Sequence, residues 1–212
     1  MRWFVAFLFA VCCMVLQAEP VKYLFLFIGD GMSAPQRLMA EEFRRVTGKP
    51  GLAMNAMPVQ SYTTTHCADS FITDSAAAGT ALACGEKAKF GSLGLNADGK
   101  KLDSIATVAK QAGRRAGLVT TVTLNHATPA AFYAHNPKRG NYYAIGLEML
   151  DSGFDFFGGG SLIDKEGKKA GKDAKGDLLD LARRKNFNVV TTSAGLRALN
   201  ADSPRPVYAI AE

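Results

Sequence analysis

From Val21 onward, short apolar runs alternate with stretches whose apolar residues recur every three or four positions. The pattern therefore switches between the two-residue period of a strand and the roughly 3.6-residue period of a helix. Val21 to Ile28 predicts a buried strand. Ser33 and Pro35 then open a helix that carries Leu38, Met39, Phe43 and Val46 at helical spacing, and Gly48 and Pro50 close it. Pro58 to Thr65 predicts a second strand, followed by a helix from Ser75 to Ala83. A glycine-rich connection through Gly91, Gly94 and Gly99 leads to a helix from Asp103 to Arg115 and a strand from Leu118 to Leu124. Further on, helices at Tyr142 to Leu150 and Asp177 to Lys185 alternate with strands at Phe154 to Phe157, Val189 to Thr191 and Val207 to Ala211. Strands separated by helices of this length predict an α/β fold, a mostly parallel sheet with helices on both faces and right-handed crossovers. No internal repeat or low-complexity segment interrupts the pattern.

Composition agrees with this picture: 212 residues, 48% hydrophobic and 21% charged, can bury a core and exclude a disordered or collagen-like chain. The formal net charge of +6 suits anionic partners. The basic residues, however, form no arginine-rich stripe with interleaved aromatics, so nucleic-acid-specific binding is not expected. Lys165, Lys168, Lys169, Lys172 and Lys175 gather between Asp164 and Lys175 among glycines and acids, which reads as a solvated loop.

At the N-terminus, Arg2 precedes an apolar run from Trp3 to Leu16, and Ala18 follows where a peptidase could cut. The run is shorter than the roughly 20 residues a spanning helix needs. It reads as a signal peptide over residues 1–18, with the mature chain at 19–212 exported to the periplasm or the extracellular space. Cys12 and Cys13 raise a lipid anchor as the alternative, although Phe9, Ala10 and Val11 are not the small-residue context such processing prefers. Export to an oxidising compartment leaves Cys67 and Cys84 as a candidate pair, and the sequence does not show whether they meet.

In open parallel sheets the functional crevice lies at the carboxyl ends of the strands. Three such positions carry chemistry. Asp30 sits between Gly29 and Gly31 after the first strand, which is either a turn or a carboxylate set for a metal. Thr73-Asp74-Ser75 precedes a run of small residues, Ala76 to Ala78 and then Gly79. Ser75 belongs at a helix N-terminus, where unpaired amides and the positive end of the dipole favour a phosphate, although a plain capping role is the default explanation for a serine there. After the strand ending at Leu124 come Asn125-His126-Ala127-Thr128-Pro129 and, further on, Arg139. Thr128 before Pro129 reads as a helix cap, His126 as a ligand or a loop residue, and Arg139 as a two-pronged phosphate grip or an exposed loop arginine. A nucleophilic serine also needs something to take its proton. No Gly-x-Ser-x-Gly elbow is present, and His66, His126 and His135 do not make a hydrolase triad, so metal coordination is the remaining route.

Phe27-Ile28-Gly29-Asp30-Gly31-Met32, Thr73-Asp74-Ser75-Ala76-Ala77 and His126-Ala127-Thr128-Pro129-Ala130 followed by Arg139 resemble, in that order, the N-terminal half of the alkaline phosphatases. Phe157-Gly158-Gly159-Gly160 resembles the glycine-rich turn after a later strand of that family. The resemblance covers essentially the whole mature chain and implies a three-layer sandwich and a phosphomonoesterase that uses two zinc ions and one magnesium ion. It implies that Ser75 is the nucleophile and forms a phosphoseryl intermediate. Asp30, Ser75 and Thr128 fall at metal positions, Arg139 at the residue that binds two phosphate oxygens, and Asp74 at the residue that orients it. Some bacterial members carry an aspartate at position 126. His126 resembles the animal type, which places it beside the magnesium. The resemblance also suggests a homodimer.

The family draws most zinc ligands from a C-terminal half rich in Asp and His, whereas no histidine follows His135 here and the chain stops at Glu212. A catalytic zinc wants about three protein ligands. The expectation is an apparently truncated chain, the N-terminal portion of an exported alkaline phosphatase that hydrolyses phosphate monoesters when a C-terminal half completes it. The alternative is a natural short product that keeps the phosphate pocket as a non-catalytic, anion-binding or vestigial protein. A sibling metalloenzyme acting on phosphodiesters or sulfates fits the pairing of Ser75 with Arg139 less well.

Overall fold

The computed structural model describes residues 21–200 and 202–211, so the signal peptide expected at 1–18 lies outside the described residues. The chain divides after Asn55 into two compact units. In the first, helix α1 spans Ala34–Val46, with Ser33 at its N-cap and Pro35 in its first turn. The Ser33 amide donates to Gln36 Oε1 at 3.2 Å, which satisfies one of the donors a helix start leaves over. Beyond the helix, Gly48 takes the left-handed conformation that ends it. On the helix itself, Glu41 Oε2 accepts from the Leu52 amide at 2.7 Å and Asn55 Nδ2 at 2.9 Å, so its carboxylate fastens the following loop. Leu38, Met39, Phe43 and Val46, the expected core stripe, are exposed.

The strand expected at Val21 to Ile28 is absent: the segment is irregular and Phe27 is 87% exposed. The strand expected at Pro58 to Thr65 is absent as well. An apolar run states a preference for burial, but a strand exists only where a neighbouring backbone completes its hydrogen bonds. Neither segment pairs with a strand among the described residues.

The second unit is built on four parallel strands, β1 (Gly117–Thr123), β2 (Phe156–Gly160), β3 (Asn188–Val190) and β4 (Val207–Ala211), in the order β1-β2-β4-β3. Six α-helices complete it among the described residues: α2 (Ser75–Cys84), α3 (Ile105–Gln111), α4 (Ala127–Ala130), α5 (Tyr142–Asp151), α6 (Leu178–Arg184) and α7 (Ser193–Ala198). Helix α3 is shorter than expected. Ser104 caps it, its Oγ accepting from the Thr107 amide at 3.0 Å, and Gly113, left-handed, stops the chain from continuing.

Gly158 to Gly160, expected as a turn, lie within β2. The reason is close approach: a Cβ on Gly159 would stand 2.8 Å from Thr120 Cγ2, and one on Gly160 3.0 Å from the Val122 carbonyl oxygen. Behind the sheet, Phe154 and Phe157 stack at 6.0 Å, Tyr133 meets Phe157 edge-on at 5.8 Å, and Gly146 of α5 leaves room for Leu178 of α6. Tyr208 of β4 is fully buried, and its hydroxyl has no hydrogen-bond partner among the described residues. Burial pushes that hydroxyl's pKa well up, helped by the nearby Asp177 charge. An unpaired buried hydroxyl costs about 1–3 kcal/mol. Tyr208→Phe is therefore expected to raise stability by about 1 kcal/mol, read as a rise of about 2–4 °C in Tm. A fall in Tm would show that the hydroxyl is satisfied by solvent.

Candidate functional site

Asp74 is the N-cap of α2, and Ser75 is that helix's first residue. The cap is a side-chain one: Asp74 Oδ1 accepts from the Ala77 amide at 3.1 Å. The same oxygen accepts from the Gly91 amide at 3.0 Å, and Oδ2 accepts from Arg139 Nη1 at 2.9 Å. One carboxylate thus ties the start of α2, the glycine-rich connection and the arginine together. The Asp74 side chain is 9% exposed and that of Arg139 29%, so the pair is shielded more than a surface salt bridge. Burial pushes the Asp74 carboxyl up, but the Gly91 and Ala77 amides and the Arg139 guanidinium outweigh it and hold the group below its ordinary value of 3.8.

After β1 the chain turns at Leu124-Asn125-His126. Asn125 is fully buried and bridges the start of α5 and the loop after β2, with Nδ2 donating to the Tyr142 and Ile163 carbonyls at 3.0 and 2.8 Å and Oδ1 accepting from the Ile163 amide at 3.0 Å. His126, not Thr128, is the N-cap of α4, and Thr128 is the second residue within it. Position in the chain explains the correction, because Pro129 can sit anywhere in the first turn, where its missing amide is unneeded. Helix α4 lies directly against α2. A Cβ on Gly79 would stand 3.1 Å from Ala131 Cβ and 3.6 Å from Thr128 Cα, so the small residues of α2 are what let the two helices touch. From the other side, Arg139 Nη2 lies 3.4 Å from His126 Nε2. A guanidinium only donates, so Nε2 is the acceptor in that contact.

The second unit therefore gathers Asp74, Ser75, His126, Thr128 and Arg139 around the start of α2 and α4. Asp30 belongs to the first unit, in an exposed turn beside Gly31, whose φ of +69° is left-handed. Cys67 and Cys84 are both free. Cys67 packs with Ala77 and Ala88, and burial, with the charges of Asp103 and Glu86, pushes the Cys84 thiol up to about 11. His135 serves the loop, its Nε2 2.8 Å from the Leu102 carbonyl oxygen. His66 is exposed.

Zinc asks for three nitrogen, sulfur or carboxylate ligands on one point. Among the described residues no three His, Cys, Asp or Glu side chains converge in that way. The hydroxyls of Ser75 and Thr128, the imidazole of His126 and the carboxylate of Asp30 do not by themselves fit a set of three ions. What the arrangement offers unaided is anion recognition. An arginine fork is fixed on a buried carboxylate beside the amide-rich end of a ten-residue helix.

Gly91, Asn125, Asn136 and Glu148 also shape this site and were not singled out from the sequence. Their roles rest on partners 12 to 38 residues away, and a buried amide or a lone glycine leaves no local signal.

The family profile described as alkaline phosphatase matches residues 21–182. Alkaline phosphatase 4 of Bacillus subtilis is 34% identical over 209 residues, covering 88% of this chain and 45% of that protein. Among solved structures, the cold-active alkaline phosphatase of the psychrophile Shewanella sp. superposes with a TM-score of 0.72 at 30% identity, over 86% of this chain and 44% of that one. A variant of the alkaline phosphatase of the Antarctic bacterium TAB5, with Mg bound in its M3 site, gives 0.67 at 29%, over 82% and 49%. The chain spans somewhat under half the length of each of these three relatives.

Proposed function

The chain belongs to the alkaline phosphatase family, and from that premise we propose that it forms the phosphate-gripping part of a phosphate monoester hydrolase with Ser75 as nucleophile. The observation that supports this best is the divided use of Asp74. One oxygen caps the helix that presents Ser75, and the other holds Arg139, so nucleophile and phosphate grip share a single support.

In this reading Arg139, fixed through Nη1, turns its remaining N–H donors to two oxygens of the phosphate, and the first amides of α2 add to the hold. Ser75 Oγ forms the bond to phosphorus while the bond to the ester oxygen breaks, and the alcohol departs carrying the serine proton. Water then attacks the phosphoserine, releasing inorganic phosphate and restoring the hydroxyl. Electrostatic stabilisation and positioning carry most of such a transfer.

The family resemblance supports two zinc ions and one magnesium ion, and the TAB5 variant with Mg in its M3 site supports the magnesium alone; bound here, such ions would supply Lewis-acid activation of the serine oxygen. Asp30, Ser75 and Thr128 are the candidate ligands in this chain, with His126 beside the magnesium. They are too few for three ions, so we propose that the remaining ligands come from a C-terminal half like that of the relatives, and that turnover requires it. Export to the periplasm or extracellular space after removal of residues 1–18, and a homodimer of the complete protein, belong to the same proposal. One second reading is a short anion-binding protein without catalysis: among the described residues no three-ligand cluster forms, and Arg139 held by Asp74 can grip an anion unaided.

The test is made on the native protein, captured with an antibody to the Asp74–Ala83 region, incubated with zinc, magnesium and p-nitrophenyl phosphate, and quenched in acid. An intact mass near twice 22.6 kDa, bound zinc and phosphate on the Ser75 peptide are expected. Turnover without phosphoserine would sink the nucleophile, and a product at or slightly below 22.6 kDa that binds phosphate but takes up no zinc would establish the second reading.

A further inference from the structure

Arg139 sits on a loop with no regular structure, yet its fork can meet a phosphate only if the loop backbone is held. The contacts that hold it converge on Asn136, which is 8% exposed. Its main chain pairs both ways with Leu93: the Asn136 amide donates to the Leu93 carbonyl at 3.0 Å, and the Leu93 amide donates back at 2.8 Å. Its side-chain Oδ1 accepts from the Lys138 amide at 3.1 Å and from Asn141 Nδ2 at 2.9 Å, bracketing Arg139 on both sides. Its Nδ2 donates to Glu148 Oε1 at 3.5 Å, and Glu148 Oε2 accepts from the His135 amide at 2.6 Å, which roots the loop on α5.

The far side of the loop closes the circuit. The Arg139 amide donates to the Gly91 carbonyl at 2.8 Å, and the Gly91 amide donates to Asp74, the carboxylate that Arg139 itself engages. Gly91 has a φ of +76°, a conformation that a residue with a side chain adopts at a cost. Nearby, a Cβ on Gly94 would fall 2.2 Å from the Ala134 carbonyl oxygen, so the two loops are zipped at contact distance. Thr80 on α2 fastens the same connection, its Oγ1 accepting from the Gly94 amide at 3.0 Å.

We infer that Asn136, rooted by Glu148, is a positioning residue for Arg139: it fixes the backbone from which the guanidinium reaches between Asp74 and His126. The proposal rests on the reading of Arg139 as the phosphate grip. Asn136 touches no substrate. Its effect is to keep one of many orientations of a long side chain populated, so that phosphate binding does not have to order the loop.

Two measurements on the full chain separate this from a purely structural role. The first observes the Arg139 side chain by 15N NMR, its signal assigned by its loss in Arg139→Lys. The wild type is expected to show resolved, slowly exchanging guanidinium protons, and Asn136→Ala to show averaged ones. Glu148→Gln, a milder change that keeps an acceptor for His135, is expected to show a smaller effect of the same kind. The paired variant Asn136→Asp with Glu148→Gln reverses donor and acceptor in the contact and is expected to restore the wild-type signal. An Arg139 signal unaltered by Asn136→Ala, or already averaged in the wild type, overturns the positioning role whether or not phosphate binds.

The second measurement is a titration with inorganic phosphate. Asn136→Ala is expected to weaken binding about tenfold, and to add nothing when Arg139 is already alanine. Losses that add, or a lowered Tm with unchanged phosphate affinity, overturn the proposal. Phosphate affinity untouched by Arg139→Ala would instead overturn the functional reading of Arg139, leaving the NMR result to judge the positioning role alone.

Discussion

Ser75→Ala in the complete enzyme is expected to lower kcat for p-nitrophenyl phosphate by about 10⁴-fold or more, the scale on which removal of a covalent nucleophile acts. Phosphate affinity should change far less. The change removes one oxygen, but Arg139 keeps its hold on Asp74, and the amides at the start of α2 stay in place because the capping group is Asp74 and not Ser75. Stability is expected to stay within about 0.5 kcal/mol of the wild type, since replacing the half-buried Ser75 by alanine, the better helix former, inside a helix start sits near the bottom of the mutational range. The combination is diagnostic: lost turnover, kept phosphate binding and kept Tm. Turnover within tenfold of the wild type would remove Ser75 from the chemistry, and a joint loss of turnover, binding and Tm would show that the residue supports the fold instead.

The parts of the fold legible in the sequence are those in which burial and backbone pairing coincide. The run Val207 to Ala211 is a strand with the expected bounds, because it lies between β2 and β3 and is satisfied on both edges. Helix α2 is likewise legible from its small residues and from Asp74 and Ser75 at its start. Val21 to Ile28 carries an equally strong apolar signal and forms no strand, because periodicity reports what a segment buries and is silent on which backbone would pair with it. Gly158 to Gly160 mislead for the opposite reason. Glycine marks turns locally, but here it answers the close approach of Thr120 and Val122 from another strand.

The site divides along the same line. Asp74, Ser75 and His126 stand at helix starts, where exposed amides and the end of a parallel strand place chemistry, and Arg139 is legible as the arginine of the loop that follows. Asn136 and Glu148 act through partners remote in sequence, and their residue types carry no marker of that duty. The basic loop from Asp164 to Lys175, by contrast, is as unremarkable in space as in sequence: Lys168 pairs with Glu166 at the surface.

Asp74→Ala is expected to cost about 3 kcal/mol at neutral pH and to weaken phosphate binding by about 10- to 100-fold. The stability loss combines a missing helix cap, worth about 1 kcal/mol, with a guanidinium left beside the Gly91 amide without its acceptor. Because Arg139 keeps 29% of its side chain in solvent, the second part falls below the cost of breaking a fully buried pair. The affinity loss follows from the released fork, which must then be ordered by phosphate itself. The pH dependence supplies an independent check. The folded-state pKa of Asp74 lies below its ordinary 3.8, so the carboxylate's contribution is fully present above that value and disappears as pH falls through the lowered one. The stability difference between wild type and Asp74→Ala, measured by urea unfolding, should therefore be constant from neutral pH down to about pH 5 and narrow steadily below pH 3.8. A difference that persists undiminished into the acid range would assign the effect of Asp74 to packing at the start of α2 and not to its charge. A variant as stable as the wild type at neutral pH would separate the cap from the arginine and dissolve the shared support on which the proposed phosphate site depends.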